Sequence, residues 1–238
     1  GTSAVYRVPT KEVAGRSLDL VVKNCRVGED VPVATHTLQE FVEAEFNSPW
    51  EEFALVNELR EGRYGPPGLA IRTQVPLAIY VPPERMQVWQ TGRSLDKIAR
   101  IQARHPGVAL DVLKQYKLVY GWIHGLNVVE ALLELGLPRE RILAEAALLA
   151  KAATADLDAK GYAVADMKPV HVIIGDDDLA AWRRDAAGDV ERGVAALHAL
   201  VTGHHYSVID YELLLRTAPH EQEVAHERRH GYLAAVRD

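Results

Sequence analysis

The chain has 238 residues, 48% of them apolar, and can bury the core of one two-lobed domain or of two small domains. Its 27 basic and 33 acidic residues give a net charge of −6 without long runs of like charge, which argues against a nucleic-acid partner. A single cysteine, Cys25, excludes an internal disulfide framework and favours a cytoplasmic setting. The sequence contains no run of 18 apolar residues, so a membrane is not an expected partner.

The first third of the chain is rich in predicted strands. Residues 4–8 and 18–27 alternate in polarity, and residues 11–16 between them predict a hairpin connection. A helix is predicted to begin at Pro49, because Glu51 and Glu52 then lie in its first turn, where acidic side chains suit the helix dipole. Further strands are predicted at residues 69–73, 77–81 and 86–90.

Predicted strands give way to predicted helices after Gly92. This change predicts a lobe boundary there, with two lobes at residues 1–92 and 93–238. Periodicity and Gly/Pro punctuation predict helices in the second part. These predicted helices are residues 94–104, 109–135, 138–160 and 178–202, with a last one from about residue 219.

Residues 161–178, GYAVADMKPVHVIIGDDD, predict two short buried strands joined by a polar loop. The loop carries Asp166, Lys168 and His171, and a later predicted strand at 206–210 ends on Asp210. Loops that follow strands commonly hold catalytic groups on a rigid scaffold. Two carboxylates and an ammonium group in this setting suit metal-assisted transfer of an anionic group.

Two segments resemble the catalytic motifs of protein kinases. VADMKPVH at 164–171 is similar to H-R-D-x-K-P-x-N, and DYE at 210–212 is similar to D-F-G. The resemblance implies that Asp166 orients the acceptor hydroxyl and that Lys168 stabilises the transferring phosphoryl group. It also implies that Asp210 and His171 bind the metal.

The first third resembles the nucleotide-binding part of the same family. LVVK at 20–23 is similar to V-A-I-K, and EFALVNEL at 52–59 resembles the helix whose glutamate pairs with that lysine. The resemblance implies that Lys23 holds the nucleotide phosphates, that Glu52 is its partner, and that Gln90 lies where the adenine would be contacted. GTSAVYRV at 1–8 resembles the tail of a glycine-rich loop, which implies that the first strand is missing from this sequence.

The resemblance implies an α+β, bilobal, protein-kinase-like fold with a small β-rich N-terminal lobe and a mainly helical C-terminal lobe. The implied activity is transfer of the γ-phosphoryl group of ATP to a hydroxyl of an unknown acceptor, a small molecule or a protein. The implied cofactors are ATP with Mg²⁺ or Mn²⁺.

Three departures from the protein-kinase pattern leave alternatives open. His171 replaces the metal-binding asparagine, which suggests Mn²⁺ tolerance or a weakened second metal site. Glu212 replaces the glycine of D-F-G, as in choline-kinase and aminoglycoside-phosphotransferase relatives, and Val164-Ala165 replace His-Arg. A pseudokinase-like module that binds nucleotide or a partner is therefore the alternative, and a metal hydrolase built on histidines such as His204 and His205 is the third hypothesis.

Overall fold

The computed structural model describes residues 4–25, 46–104 and 111–225. In chain order the strands are β1 (Val5–Pro9), β2 (Asp19–Asn24), β3 (Arg72–Thr73), β4 (Pro76–Tyr80), β5 (Lys117–Gly121), β6 (Gly125–Asn127), β7 (Tyr162–Val164), β8 (Val172–Gly175), β9 (Ser207–Val208) and β10 (Leu214–Arg216). The helices are α1 (Pro49–Glu61), α2 (Leu95–Arg104), α3 (Val128–Glu134), α4 (Arg139–Ala159), α5 (Asp176–Ala186) and α6 (Val190–Thr202), and residues 218–225 are also helical. The predicted α+β class is confirmed.

Contacts divide the chain into two compact units. The first comprises Gly1–Asn57 and Gln74–Trp122, and the second comprises Glu58–Thr73 and Ile123–Asp238. The division by contacts therefore differs from the predicted boundary near Gly92, because residues 93–122 belong to the first unit. None of the helices within the described residues has the length and apolar character that crossing a bilayer requires.

The first unit contains a four-stranded antiparallel sheet in the order β1-β2-β5-β4. The predicted hairpin joins β1 to β2, and its turn places Ala14 at φ 52° and Gly15 at φ 75°. Two consecutive left-handed residues suit the twist of a tight hairpin. The middle strand β2 is paired on both edges, which fixes the direction of every side chain along it.

Between β4 and β5 the chain makes an excursion over residues 81–116. The excursion contains a 3₁₀ turn at Val88–Thr91 and the predicted helix α2. Buried Ile98, Ile101, Val112 and Tyr116 form its core. The strand predicted at residues 86–90 is wrong, because a capping box between Gln87 and Gln90 closes that segment into the 3₁₀ turn.

The helix predicted at residues 109–135 is also wrong over most of its length. This segment contains the central strand β5 and the short β6, and its only regular α-helix within the described residues is α3. Leu118 and Tyr120, which share one face of β5, are almost inaccessible to solvent, whereas Lys117, Val119 and Gly121 are half-buried. A short apolar run of this kind has no alternation that separates a strand from a buried helix.

The second unit combines helices with two small sheets. One sheet has the order β3-β9-β8-β6, and the other pairs β7 with β10. The predicted helix at 138–160 is confirmed as α4, which buries Ala146, Leu149, Ala153 and Leu157. The helix predicted at 178–202 is two helices, because Ala187 and Gly188 adopt φ 46° and 81° between α5 and α6.

Candidate functional site

Lys23 lies on the central strand of the first unit. Its side chain shares a face of β2 with the buried Val21, and the residue is 6% exposed. Its Nζ is 3.4 Å from Oε1 of Glu52, which is 2% exposed. Burial of an ammonium group is costly unless a counter-charge accompanies it, so this pair depends on both members.

The two acidic residues in the first turn of α1 have different roles. Ser48 and Glu51 form a capping box, in which Glu51 Oε2 accepts from the Ser48 amide at 2.8 Å and Ser48 Oγ accepts from the Glu51 amide at 3.2 Å. Glu51 therefore stabilises the helix start, while Glu52 lies in the buried ion pair.

Tyr120 completes this buried pair and was not anticipated from the sequence. Its hydroxyl donates to Glu52 Oε1 at 2.9 Å, and the residue is 1% exposed. The contact joins residues 68 positions apart through the pairing of β2 with β5. No motif signals it, because β5 itself was predicted as part of a helix.

Gln90 lies in the excursion between β4 and β5. Its side-chain oxygen accepts from the Gln87 amide at 2.7 Å, which closes the 3₁₀ turn. The residue also lines a cavity of about 230 Å³ together with Asn24 and Cys25, the residues that follow Lys23. An adenine contact by Gln90 stays a prediction.

In the second unit, Asp166 and Lys168 lie on the loop that leaves β7. Lys168 Nζ is 2.6 Å from Asp166 Oδ2, with the lysine side chain 51% exposed and the aspartate side chain 23% exposed. The Met167 amide donates to the Val164 carbonyl at 3.2 Å, and this turn brings the two charged groups together. The Asp166 carboxylate is thus partly exposed to solvent beside its lysine neighbour.

His171 and Asp210 lie at the other end of the same loop region. His171 ends a 3₁₀ turn that begins at Pro169, and it is 7% exposed. Its Nε2 is 3.7 Å from Asp210 Oδ2, which is longer than a hydrogen bond. Asp210 adopts φ 67°, a left-handed conformation that aspartate tolerates better than most side chains.

Backbone hydrogen bonds tie the loop at 165–171 to the loop at 209–213. The Ala165 amide donates to the Leu213 carbonyl at 3.1 Å, and the Ile209 amide donates to the His171 carbonyl at 2.9 Å. The first bond lies beside Asp166 and the second beside Asp210. The four predicted residues Asp166, Lys168, His171 and Asp210 therefore belong to two adjoining loops, fixed at both ends by paired strands.

A partly buried ionic network supports the strand that enters this loop. Glu58 receives two hydrogen bonds from Arg216, at 2.7 and 2.6 Å, and one from the Tyr162 hydroxyl at 2.8 Å. His220 Nε2 lies 3.4 Å from Glu58. Burial by itself raises the pKa of Glu58, but the Arg216 and Tyr162 hydrogen bonds and the charges of Arg216 and His220 hold that pKa below its usual value of 4.5.

His204 and His205, the histidines of the third hypothesis, each contact an aspartate. His204 and Tyr206 both contact Asp156 at 2.8 Å, and His205 lies 3.4 Å from Asp178. The three aspartates at 176–178 form the first turn of α5, which begins two residues before the predicted helix start at 178. In the part of the chain that the structure describes, no three His, Cys, Asp or Glu side chains are grouped as a metal site would require.

Comparison with known proteins adds no assignment: no family model and no curated protein matches this chain.

Proposed function

We propose that the chain is a protein-kinase-like phosphotransferase that moves the γ-phosphoryl group of ATP to a hydroxyl of its acceptor. The first unit would be the nucleotide-binding lobe and the second unit the catalytic lobe. The observation that carries the proposal is the pair of backbone hydrogen bonds between two loops of the second unit, one carrying Asp166, Lys168 and His171 and the other carrying Asp210. The resemblance of both loops and of the Lys23–Glu52 pair to kinase motifs supports it.

Asp166 is suited to accept the proton of the acceptor hydroxyl. Its carboxylate is partly exposed at a loop that follows a buried strand, and it therefore can reach a bound hydroxyl. As the acceptor oxygen bonds to the γ-phosphorus, the bond from that phosphorus to the β–γ bridging oxygen breaks and ADP leaves. Lys168, 2.6 Å from Asp166, places a positive charge where the transferring oxygens gain negative charge.

The residues present fit a nucleotide and a divalent ion. Mg²⁺ bound with a nucleotide takes one or two protein ligands and draws the others from phosphates and water. Asp210 and His171, 3.7 Å apart, would supply two such ligands. The ion, when bound, offsets the charge of the phosphates; Lys23, held by Glu52, would contact the phosphates themselves.

A nucleotide-binding module without transfer is the second candidate, and the burial of His171 favours it. An imidazole that is 7% exposed, at a position where kinases place a metal-binding asparagine, can serve the fold instead of a metal. Such a module would keep Lys23 and Glu52 for nucleotide and would lack turnover.

Incubation of the purified chain with γ-labelled ATP, Mg²⁺ or Mn²⁺ and a panel of hydroxyl acceptors tests both functions. Transfer or ATP hydrolysis that falls at least about a hundredfold in Asp166→Asn and in Asp210→Asn is expected for the enzyme, equivalent to about 2.7 kcal/mol. Asp185→Asn is the matched control, because Asp185 is an exposed aspartate of α5. Thermal stabilisation by ATP without label transfer would favour the module, and turnover that survives Asp210→Asn would refute the assignment of the site.

A further inference from the structure

The excursion at residues 81–116 forms a pocket against the end of β2. Its volume is about 230 Å³, and its wall combines polar groups with apolar ones. Arg93, Lys114, Asn24 and Gln115 contribute the polar part, and Met86 and Val112 contribute apolar surface. Lys23 is not part of this wall, so the pocket is separate from the buried ion pair, although Gln90, the predicted adenine contact, lines it.

Main-chain hydrogen bonds hold the walls of this pocket together. The Met86 amide donates to the Leu113 carbonyl at 2.8 Å, and the Cys25 amide donates to the Tyr116 carbonyl at 2.9 Å. The Tyr116 hydroxyl accepts from the Asp111 amide at 2.9 Å. A cavity bounded by paired backbone is already shaped before a ligand enters, which lowers the cost of ordering on binding.

The pocket carries two positive charges. Arg93 and Lys114 are half-buried, and neither forms a salt bridge with another residue of the described ranges. The nearby carboxylate of Asp111 is already engaged by Arg85 at 2.9 Å and by the Leu113 amide at 3.0 Å. A concave wall with two cations and no competing carboxylate concentrates small anions.

We propose that this pocket binds a small phosphomonoester, with its phosphate on Arg93 and Lys114 and its organic part against Met86 and Val112. A phosphomonoester carries about −1.5 to −2 charges at neutral pH, which matches the two cations. At about 230 Å³ the pocket is smaller than the 300–1,000 Å³ of typical drug-sized sites, which excludes a whole nucleoside triphosphate as its occupant. The site would add a ligand-binding function to the first unit that does not depend on phosphotransfer.

Isothermal titration of the whole chain with glycerol 3-phosphate, ribose 5-phosphate and glucose 6-phosphate tests the proposal. At least one of these esters should bind, should bind more tightly than inorganic phosphate, and should lose affinity as salt is raised. Arg93→Gln and Lys114→Gln should each weaken that binding by at least about tenfold, because each removes one charged hydrogen-bond donor. Arg100→Gln should leave it unchanged, since Arg100 is an exposed arginine of α2 outside the pocket.

Two further measurements separate this site from the proposed phosphate contacts at Lys23. The double variant Lys23→Met with Glu52→Leu, which avoids leaving a lone buried charge, should retain ester binding. Loss of binding in that variant, with its fold confirmed by circular dichroism, would place the ester at the nucleotide phosphates and overturn the pocket. Glucose and glycerol should not bind. The proposal also fails if none of the esters binds the wild-type chain, or if inorganic phosphate binds as tightly as every ester.

Discussion

Lys23 and Glu52 form an ion pair that is almost completely removed from solvent, with 3.4 Å between Nζ and Oε1. The pair joins the central strand of the first unit to the first turn of α1. In a buried setting each charge depends on the other, so the two residues act as one structural unit.

Removal of one member of this pair should destabilise the protein more than removal of both. Lys23→Met should lower the free energy of unfolding by about 3–5 kcal/mol, because it leaves the Glu52 carboxylate buried without its counter-charge. Lys23→Met combined with Glu52→Leu should recover much of that loss. Urea denaturation measures both values, and Lys11→Met on the exposed hairpin is the control. Equal stability of wild type and Lys23→Met would contradict the pair.

Tyr120 should contribute through its hydroxyl as well as through packing. Tyr120→Phe keeps the ring but removes the hydrogen bond to Glu52, and it should cost about 1.5–3 kcal/mol, the usual range for a bond to a charged group. The shift of the urea midpoint at constant slope measures this loss. Tyr6→Phe makes the same change on exposed β1 and should have little effect, so similar losses in the two variants would argue against the Glu52 contact.

His171 should determine the metal preference of the proposed phosphotransferase. His171→Asn replaces an imidazole nitrogen by an amide oxygen, and oxygen is the ligand that Mg²⁺ prefers. The ratio of Mg²⁺-supported to Mn²⁺-supported transfer should therefore rise by about tenfold, or 1.4 kcal/mol. Titration of each metal into wild type and variant measures the ratio. An unchanged ratio in an active variant would show that His171 is not a ligand.

Glu58 should make the stability of the protein depend on pH in the acidic range. Its pKa is held below 4.5 in the folded state, so its contribution is present above about 4.5 and is lost as pH falls through the folded pKa. The gap in unfolding free energy between wild type and Glu58→Gln should therefore narrow from pH 5 toward pH 3, as followed by urea denaturation at each pH. Glu140→Gln, on the exposed start of α4, controls for the loss of one carboxylate. A gap that stays constant over this range would contradict the network.

The sequence predicted the local features of the candidate site better than its long-range ones. Asp166, Lys168 and His171 follow one another along a loop, so their proximity is encoded within a few residues. The Lys23–Glu52 pair could be predicted only through a family pattern, because 29 positions separate its members. The contact of Tyr120 with Glu52 has no pattern of this kind, and it depends on a strand whose apolar run also fits a helix.

Two other predictions differ from the structure because they followed the apolar pattern of the sequence and passed over residues that favour a turn. The break between α5 and α6 has a glycine at 188 and an N-capping aspartate, Asp189, whose side chain accepts from the Arg192 amide at 3.1 Å. These are ordinary helix stop and start signals, and they could have divided the helix predicted at 178–202. The strand predicted at 86–90 contains Gln87 and Gln90, whose side chains favour the turn that forms instead.

The excursion between β4 and β5 has a consequence for the order of folding. The loop that joins β1 to β2 has nine residues, 10–18. The segment that joins β4 to β5, residues 81–116, is about four times as long, and its two ends must meet before these strands can pair. A fourfold longer loop costs about 1.2 kcal/mol more in chain entropy on closure. The segment between β2 and β5, residues 25–116, is longer still. The strand carrying Lys23 can therefore pair with β1 early, while its other edge waits for β5, and the Tyr120 hydroxyl reaches Glu52 only at that later stage.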